Sequence, residues 1–184
     1  LNSPFPVDVA FCSMDKVPED ELLCPEESSI VSSWMAASRI SEFTMGRLAA
    51  HQAIRALGID DISPVLRGDR GFPIWPVGLV GSIAHTNGMA VSAVASSGSY
   101  SSIGIDIEER SRVMKENIES FICTETEAKE IRLQQAPDLL SLFCAKECFY
   151  KAAYPLLRSY LAFSDVELRW DKEKHSYLAT VIKR

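Results

Sequence analysis

Two carboxylates stand two residues apart in the stretch Ile103-Gly104-Ile105-Asp106-Ile107-Glu108. Like charges this close repel unless a cation or a proton lies between them, which points to a hard, oxygen-ligated metal such as Mg2+. A third carboxylate, Glu147, lies between Lys146 and Lys151 in Phe143-Cys-Ala-Lys-Glu-Cys-Phe-Tyr-Lys-Ala152. Asp106, Glu108 and Glu147 would supply three oxygen ligands for Mg2+, while Lys146, Lys151, His85 and an arginine would supply charge for a phosphorylated ligand. That is the equipment of phosphoryl-group chemistry on a metal-neutralised pyrophosphate. Each residue taken alone also has a plainer explanation. The carboxylate pair could be the solvated face of an edge strand, Glu147 and Lys151 an i,i+4 surface pair, and His85 a structural histidine after an apolar strand.

The elements that must position these groups follow from periodicity and punctuation. Alternation in Ile103–Glu108 sends the isoleucines to one face of a strand and Gly104, Asp106 and Glu108 to the other. Phe5–Ser13 reads as a first strand, followed by a charged loop through Pro25, a helix over Glu26–Ser38 and a second from about Ser41 to Leu57 that stops at Gly58. Arg39, Arg47 and Arg55 belong to this helical region, where solvated helix charge is their plain reading. The Arg67-Gly68-Asp69-Arg70-Gly71 stretch is a tight turn between short extended pieces of Val65–Trp75. Gly78–Gly88 reads as a strand leading to a loop around His85, and Met89–Ala95 as a second, buried strand. Neither a P-loop nor a nucleophile elbow is present, since the GK[ST] ending and the GxSxG spacing both fail. Thr124 followed by Glu127 is a capping box that starts a helix running to about Gln135. Pro137 and Asp138 open another over Leu139–Ala153, and Asp165–Trp170 with Ser176–Ile182 forms a closing hairpin.

Composition narrows the class. A chain of 184 residues that is 47% hydrophobic can bury a core in one domain or two packed halves, and the small-residue stretch Ser96–Ser102 divides it into 1–97 and 98–184. A formal net charge of -6 argues against non-specific nucleic-acid binding. Five cysteines, with no CxxC pair and no histidines at zinc spacing, fit a reducing cytosol, with Cys144 and Cys148 as small buried side chains. With no apolar run of membrane length and no basic-then-apolar start, the expectation is a cytoplasmic protein without a membrane partner, with the proviso that a chain lacking an initiator Met is open to having been trimmed.

Taken in order, Phe43–Ile54, Gly71–Pro76, Gly81–His85, Ile103–Glu108 and Phe143–Ala152 resemble the 4′-phosphopantetheinyl transferases of the surfactin- and enterobactin-synthetase type. The resemblance covers roughly residues 39 to 152, and its specific carriers are the Gly104-Asp106-Glu108 and Lys146-Glu147-Lys151 elements. It implies an α+β fold, a pseudo-dimer of two similar α/β halves with antiparallel sheets packed with helices. It also implies a monomeric enzyme with coenzyme A and Mg2+ bound, which moves the phosphopantetheine arm onto a serine of an apo carrier protein and releases adenosine 3′,5′-bisphosphate. By motif, Asp106, Glu108 and Glu147 are implied metal ligands. Lys146 and Lys151 would contact the phosphates, and His85 and Arg47 would hold coenzyme A, joined by Arg67 or Arg70. Glu147 would be the base, with Asp106 and Lys151 completing the catalytic set. Glu127 would either cap its helix or join the metal. Ala84 stands where many relatives have serine, with Ser82 as the replacement hydroxyl, and Phe72 stands where some have lysine. Implied pathways range from fatty-acid to siderophore and other secondary-metabolite carriers. The alternative is a non-catalytic coenzyme A or carrier-binding module on the same scaffold, while a metal-dependent phosphohydrolase is disfavoured by the lack of dinuclear metal motifs.

Overall fold

Strand β5 (Met89–Ser96) explains the apolar run Ala90–Ala95: every one of these residues is buried, because the strand lies in the middle of a three-stranded antiparallel sheet in the order β1-β5-β4. Its neighbours are β1 (Ala10–Met14) and β4 (Leu79–Thr86), the latter joined to it through Asn87-Gly88, with Gly88 at φ +70°. In a computed structural model that describes residues 5–34 and 36–182, the chain divides into two units, one reaching Ile107 and the other starting at Glu108.

In the first unit α1 (Pro25–Val31) precedes α2 (Ala37–Ala56). Helix α2 presses Ala50, Ala53 and Ile54 against Val94, and Met45, Leu48 and Ala49 against Met14 and Ala90. Its small residues let the helix approach the sheet closely, so it is buried over most of its middle rather than along one stripe. A short hairpin, β2 (Leu66–Arg67) and β3 (Pro73–Ile74), closes over a 3-10 turn at Asp69–Gly71, as the turn residues predict. The opposite face of the sheet carries Val9, Ala84, Val91, Ala93 and Ala95, on which Ile103, Ile105 and Ile107 pack.

That packing revises two expectations. The alternating apolar face of Ile103–Glu108 is real, but the segment joins no sheet ladder; its Ile105 amide donates instead to Ser82 Oγ at 3.1 Å. The unit boundary therefore falls at Ile107, past the serine-rich stretch, because the isoleucines belong to the first unit's core. Other shifts are local. The first strand begins at Ala10 rather than Phe5, since Pro6 has no N–H and its carbonyl closes a turn with the Val9 amide at 3.0 Å. The first expected helix stops at Val31 and the second starts at Ala37; Met35, within the expected Glu26–Ser38 helix, lies outside the described residues.

Gly81 in β4 shows how tightly this unit is built. A Cβ there would lie 2.6 Å from the Ala93 carbonyl oxygen and 2.7 Å from the Trp75 ring. Gly81→Ala is expected to cost about 1–3 kcal/mol by overpacking, read as a lowered denaturation midpoint; an unchanged midpoint would mean that Trp75 yields freely.

The second unit holds α3 (Glu119–Ile122), α4 (Glu125–Arg132), α5 (Leu139–Leu157) and the hairpin β6 (Val166–Asp171) with β7 (Ser176–Val181). Its core gathers Ile122, Leu142, Leu161, Val166 and Leu168. The capping box of α4 forms as read, and Asp138 Oδ1 accepts the Ser141 amide at 2.8 Å to start α5. Helix α5 runs past its expected end and carries Pro155 inside its last turn, stopping where Arg158 turns to φ +52°. Both units are α+β with antiparallel strands.

Candidate active site

Arg39, Phe43 and Arg47 recur every fourth residue along α2 and so share one face, with Glu42 and Gly46 beside them. This face lines a cavity of about 550 Å3 in the first unit, whose other walls are Trp34, Arg67, Gly71, Ile83 and His85. Three of the sequence-predicted ligand contacts, Arg47, Arg67 and His85, thus meet at one cavity. His85 is the penultimate residue of β4 rather than a loop residue, so alternation puts it on the face of Ile83, with Nδ1 3.7 Å from Glu42 Oε2. Ala84 and Ser82 point the other way. Ala84 belongs to the core under Ile105, and the buried Ser82 hydroxyl is used on the Ile105 amide, so neither position serves the cavity.

Arg47 is only 5% exposed, yet it is a wall of the cavity. One terminal nitrogen donates to the Leu66 carbonyl at 3.2 Å, and the guanidinium lies 4.3 Å from the Phe43 ring centroid. Burial pushes its pKa down to about 10; the Glu27 carboxylate opposes that shift and Arg67 adds to it. It remains a cation at neutral pH, held in a largely buried position where its attraction for an anion is less screened than at the surface. Arg67 packs over Trp34, which in turn meets Phe43 edge-on at 5.2 Å between ring centroids. Arg39, Arg47 and Arg67 against one carboxylate, Glu42, give this cavity a positive lining beside an aromatic wall, a composition suited to an anion. Trp34 and Phe43 were not singled out from sequence as wall residues; the four-residue spacing of Arg39, Phe43 and Arg47 was the available signal.

In the second unit the structure corrects one expected role and decides another. Lys146 is fully buried, and its ammonium donates to the carbonyls of Ile122, Phe163 and Val166 at 2.8, 2.9 and 2.9 Å. It also pairs with Glu127 Oε2 at 2.8 Å. Its donors are consumed within the core, so the expected phosphate contact by Lys146 is not available in this arrangement. Glu127 is likewise engaged, accepting the Thr124 amide at 2.6 Å and the Leu168 amide at 2.7 Å. It is the helix cap and the tie between α4 and β6, which accounts for its carboxylate without a metal.

The next residue of α5, Glu147, lines a smaller pocket of about 150 Å3 with Tyr150, Tyr154, Tyr160 and Phe163. Burial, then the negative charge of Glu147, pushes the Tyr150 phenol well above its ordinary range, so it serves there as a neutral hydroxyl and donates to the Ala162 carbonyl at 3.2 Å. Lys151 is half-buried on the same helix. Asp106 and Glu108 are both half-buried, and Glu108 is ion-paired with Arg112, whose guanidinium lies over Phe143 at 5.1 Å from the ring centroid.

Residues 26–95 match the 4′-phosphopantetheinyl transferase N-terminal domain, and residues 102–183 match the 4′-phosphopantetheinyl transferase superfamily. The chain is 30% identical to the 4′-phosphopantetheinyl transferase PptT of Mycobacterium tuberculosis over 181 residues, covering 96% of this chain and 78% of that protein. The chain belongs to the 4′-phosphopantetheinyl transferase family. As a member of this family it is a transferase of the phosphopantetheinyl group from coenzyme A to carrier proteins. It is also 31% identical to the 4′-phosphopantetheinyl transferase Npt of Nocardia iowensis, covering 96% of this chain and 79% of that protein. A shorter match, 33% identical over 118 residues, is to enterobactin synthase component D of Salmonella typhi, covering 62% of this chain and 48% of that protein. The match of residues 26–95 takes in the whole arginine-lined face of α2 and the β2–β3 hairpin, and that of residues 102–183 takes in Asp106, Glu108 and α5. Among the described residues of this phosphopantetheinyl transferase, no helix is long and apolar enough to cross a membrane.

Proposed function

We propose that the cavity of the first unit takes the adenosine bisphosphate end of coenzyme A, and that Asp106, Glu108 and Glu147 hold Mg2+ for transfer of the phosphopantetheine arm to a carrier serine. One observation carries the first half: Arg47, Arg67 and His85, on three separate elements, converge on a single cavity of about 550 Å3. That volume lies in the range of small-molecule sites, and its composition pairs cations for phosphates with Trp34 and Phe43 for a purine.

The donor set fits Mg2+: three carboxylates and no nitrogen or sulfur, the hard oxygen ligation that ion prefers. Glu108 already has a cationic partner in Arg112, so a metal at Glu108 would share or displace that guanidinium. Bound Mg2+ would neutralise charge on the pyrophosphate as it breaks. The residues of the chain do the rest. Glu147 takes the proton of the serine hydroxyl while the serine oxygen forms its bond to the phosphorus bearing the pantetheine arm. The pyrophosphate bond breaks and adenosine 3′,5′-bisphosphate departs, its developing charge met by Lys151. Arg47, Arg67 and His85 keep the nucleotide end in place through the step, which makes the attack effectively intramolecular within the bound complex.

The carrier is read as that of a siderophore or other secondary-metabolite pathway, in line with the enterobactin synthase relatives. Phe121 is exposed while its neighbour Ile122 belongs to the core, so Phe121 is the carrier contact to examine. The enzyme is read as cytoplasmic, and as a monomer because both family regions lie on one chain. Incubation with coenzyme A, Mg2+ and a panel of apo carriers should raise the mass of at least one carrier by a single phosphopantetheine arm. No mass gain on any carrier, with the protein folded, would overturn this reading.

A further inference from the structure

Beneath the cavity lies a pair of titratable groups that the transfer reaction does not use. Glu27 of α1 and His51 of α2 are 0% and 2% exposed, and His51 Nε2 donates to Glu27 Oε1 at 3.0 Å. The same oxygen accepts the Val65 amide at 2.8 Å, and Oε2 accepts the Cys24 amide at 3.0 Å. Burial alone would raise the Glu27 carboxyl, but the hydrogen bond and charge of His51 and the two backbone amides hold it below its ordinary range, so it is a carboxylate. Cys24, Glu27 and His51 bring sulfur, oxygen and nitrogen atoms within 4.8 Å of one another, the spacing of a metal site. The hydrogen bonds argue otherwise. His51 Nε2 and the carboxylate are spent on each other and on the backbone, and burial, then the negative charge of Glu27, pushes the Cys24 thiol up and away from thiolate.

What the pair does hold is the chain that carries the cavity arginines. Glu27 grips the amide of Val65, and Arg47 grips the carbonyl of the next residue, Leu66. The residue after that is Arg67, which lines the cavity. His51 follows Arg47 by one turn of α2, so one helix face supplies both the cavity guanidinium and the anchor of the strand opposite it. The Glu27 carboxylate also offsets the repulsion that the exposed Arg67 guanidinium exerts on that of buried Arg47.

We propose that Glu27 and His51 are positioning residues for anion capture: the pair pins Val65–Arg67 to α2 and so sets Arg47 and Arg67 at the cavity before ligand arrives. A first shell locked in this way binds without a further ordering cost, and loosening it weakens binding rather than chemistry. The consequence for coenzyme A rests on the function proposed above; the placement of the arginines does not.

The test uses His51→Leu, which removes the donor, and His51→Gln, whose amide nitrogen can replace Nε2. Coenzyme A affinity by calorimetry should fall about tenfold in His51→Leu and stay within about threefold of wild type in His51→Gln, with kcat at saturating coenzyme A within about twofold in both. In parallel, the Nε–H resonance of buried Arg47 in 15N spectra without ligand should be shifted from the solvent-exposed position in wild type and His51→Gln and collapse toward it in His51→Leu. If His51→Leu does not fold, His51→Asn, which keeps a polar amide but is too short to reach Glu27, is expected to give the same losses. A lower melting temperature with unchanged affinity and an unchanged Arg47 resonance would overturn the proposal, as would His51→Gln behaving like His51→Leu. Wild-type protein that binds no coenzyme A would sink the ligand reading alone, and the Arg47 resonance would still decide the positioning role.

Discussion

Asp106→Ala is expected to lower phosphopantetheinyl transfer by at least about 10²-fold, and to cost about 1 kcal/mol of stability or less. The size follows from losing a charged ligand at the metal, where several kcal/mol of transition-state charge stabilisation are at stake. The small stability effect follows from how the segment is held. Ile103, Ile105 and Ile107 are anchored in the first unit's core, and the Ile105 amide is fixed by Ser82 Oγ. The Asp106 side chain contributes none of these contacts, so the segment should keep its course without it. Asp106→Asn gives the sharper readout, because it keeps size and one oxygen donor while removing the charge. It should raise the Mg2+ concentration needed for half-maximal transfer more than it lowers the rate at saturating Mg2+. Carrier mass measured across a Mg2+ series checks both variants. Transfer by Asp106→Ala at the wild-type rate would end the assignment of Asp106 as a ligand.

Lys146→Met separates two roles for a residue whose motif points to the ligand and whose surroundings point to the core. Removing the ammonium leaves the Ile122, Phe163 and Val166 carbonyls without their donor and the buried Glu127 carboxylate without its cation. Breaking a buried pair from one side costs about 3–5 kcal/mol, which for a chain of this length lowers the melting temperature by roughly 10 °C. Pairing the change with Glu127→Gln should recover part of that loss, because a neutral amide no longer requires the cation, though the Thr124 and Leu168 amides then share one acceptor oxygen. Thermal unfolding followed by circular dichroism, beside coenzyme A affinity, distinguishes the outcomes. A Lys146→Met protein that melts like wild type but binds coenzyme A poorly would restore the phosphate contact expected from the motif and refute the structural role.

Local pattern was a sound guide wherever the deciding forces act along the chain. The Thr124–Glu127 box, the Asp138 cap, the Gly58 stop and the hairpins at Arg67–Gly71 and Asp171–His175 all rest on hydrogen bonds or turn geometry within a few residues, and all form. The apolar alternation of Ile103–Glu108 also survives, but its partner does not follow from it. Alternation specifies that one face will be buried; whether the backbone pairs with a strand or with a serine hydroxyl depends on Ser82, about twenty residues earlier.

The family and its activity are written in the residues themselves. Asp106 with Glu108, and Glu147 between Lys146 and Lys151, carry the family resemblance by type and spacing, and those do not change on folding. The partition among cations came only from the tertiary structure. Arg47 and Lys146 are both ligand contacts by motif, yet Arg47 lines the cavity at 5% exposure while Lys146 is enclosed by carbonyls from Ile122, Phe163 and Val166. A basic side chain serves a ligand or the core according to which acceptors surround it, and for Lys146 those carbonyls arrive from two stretches distant in sequence, at Ile122 and at Phe163–Val166. No spacing along α5 encodes where Val166 comes to rest.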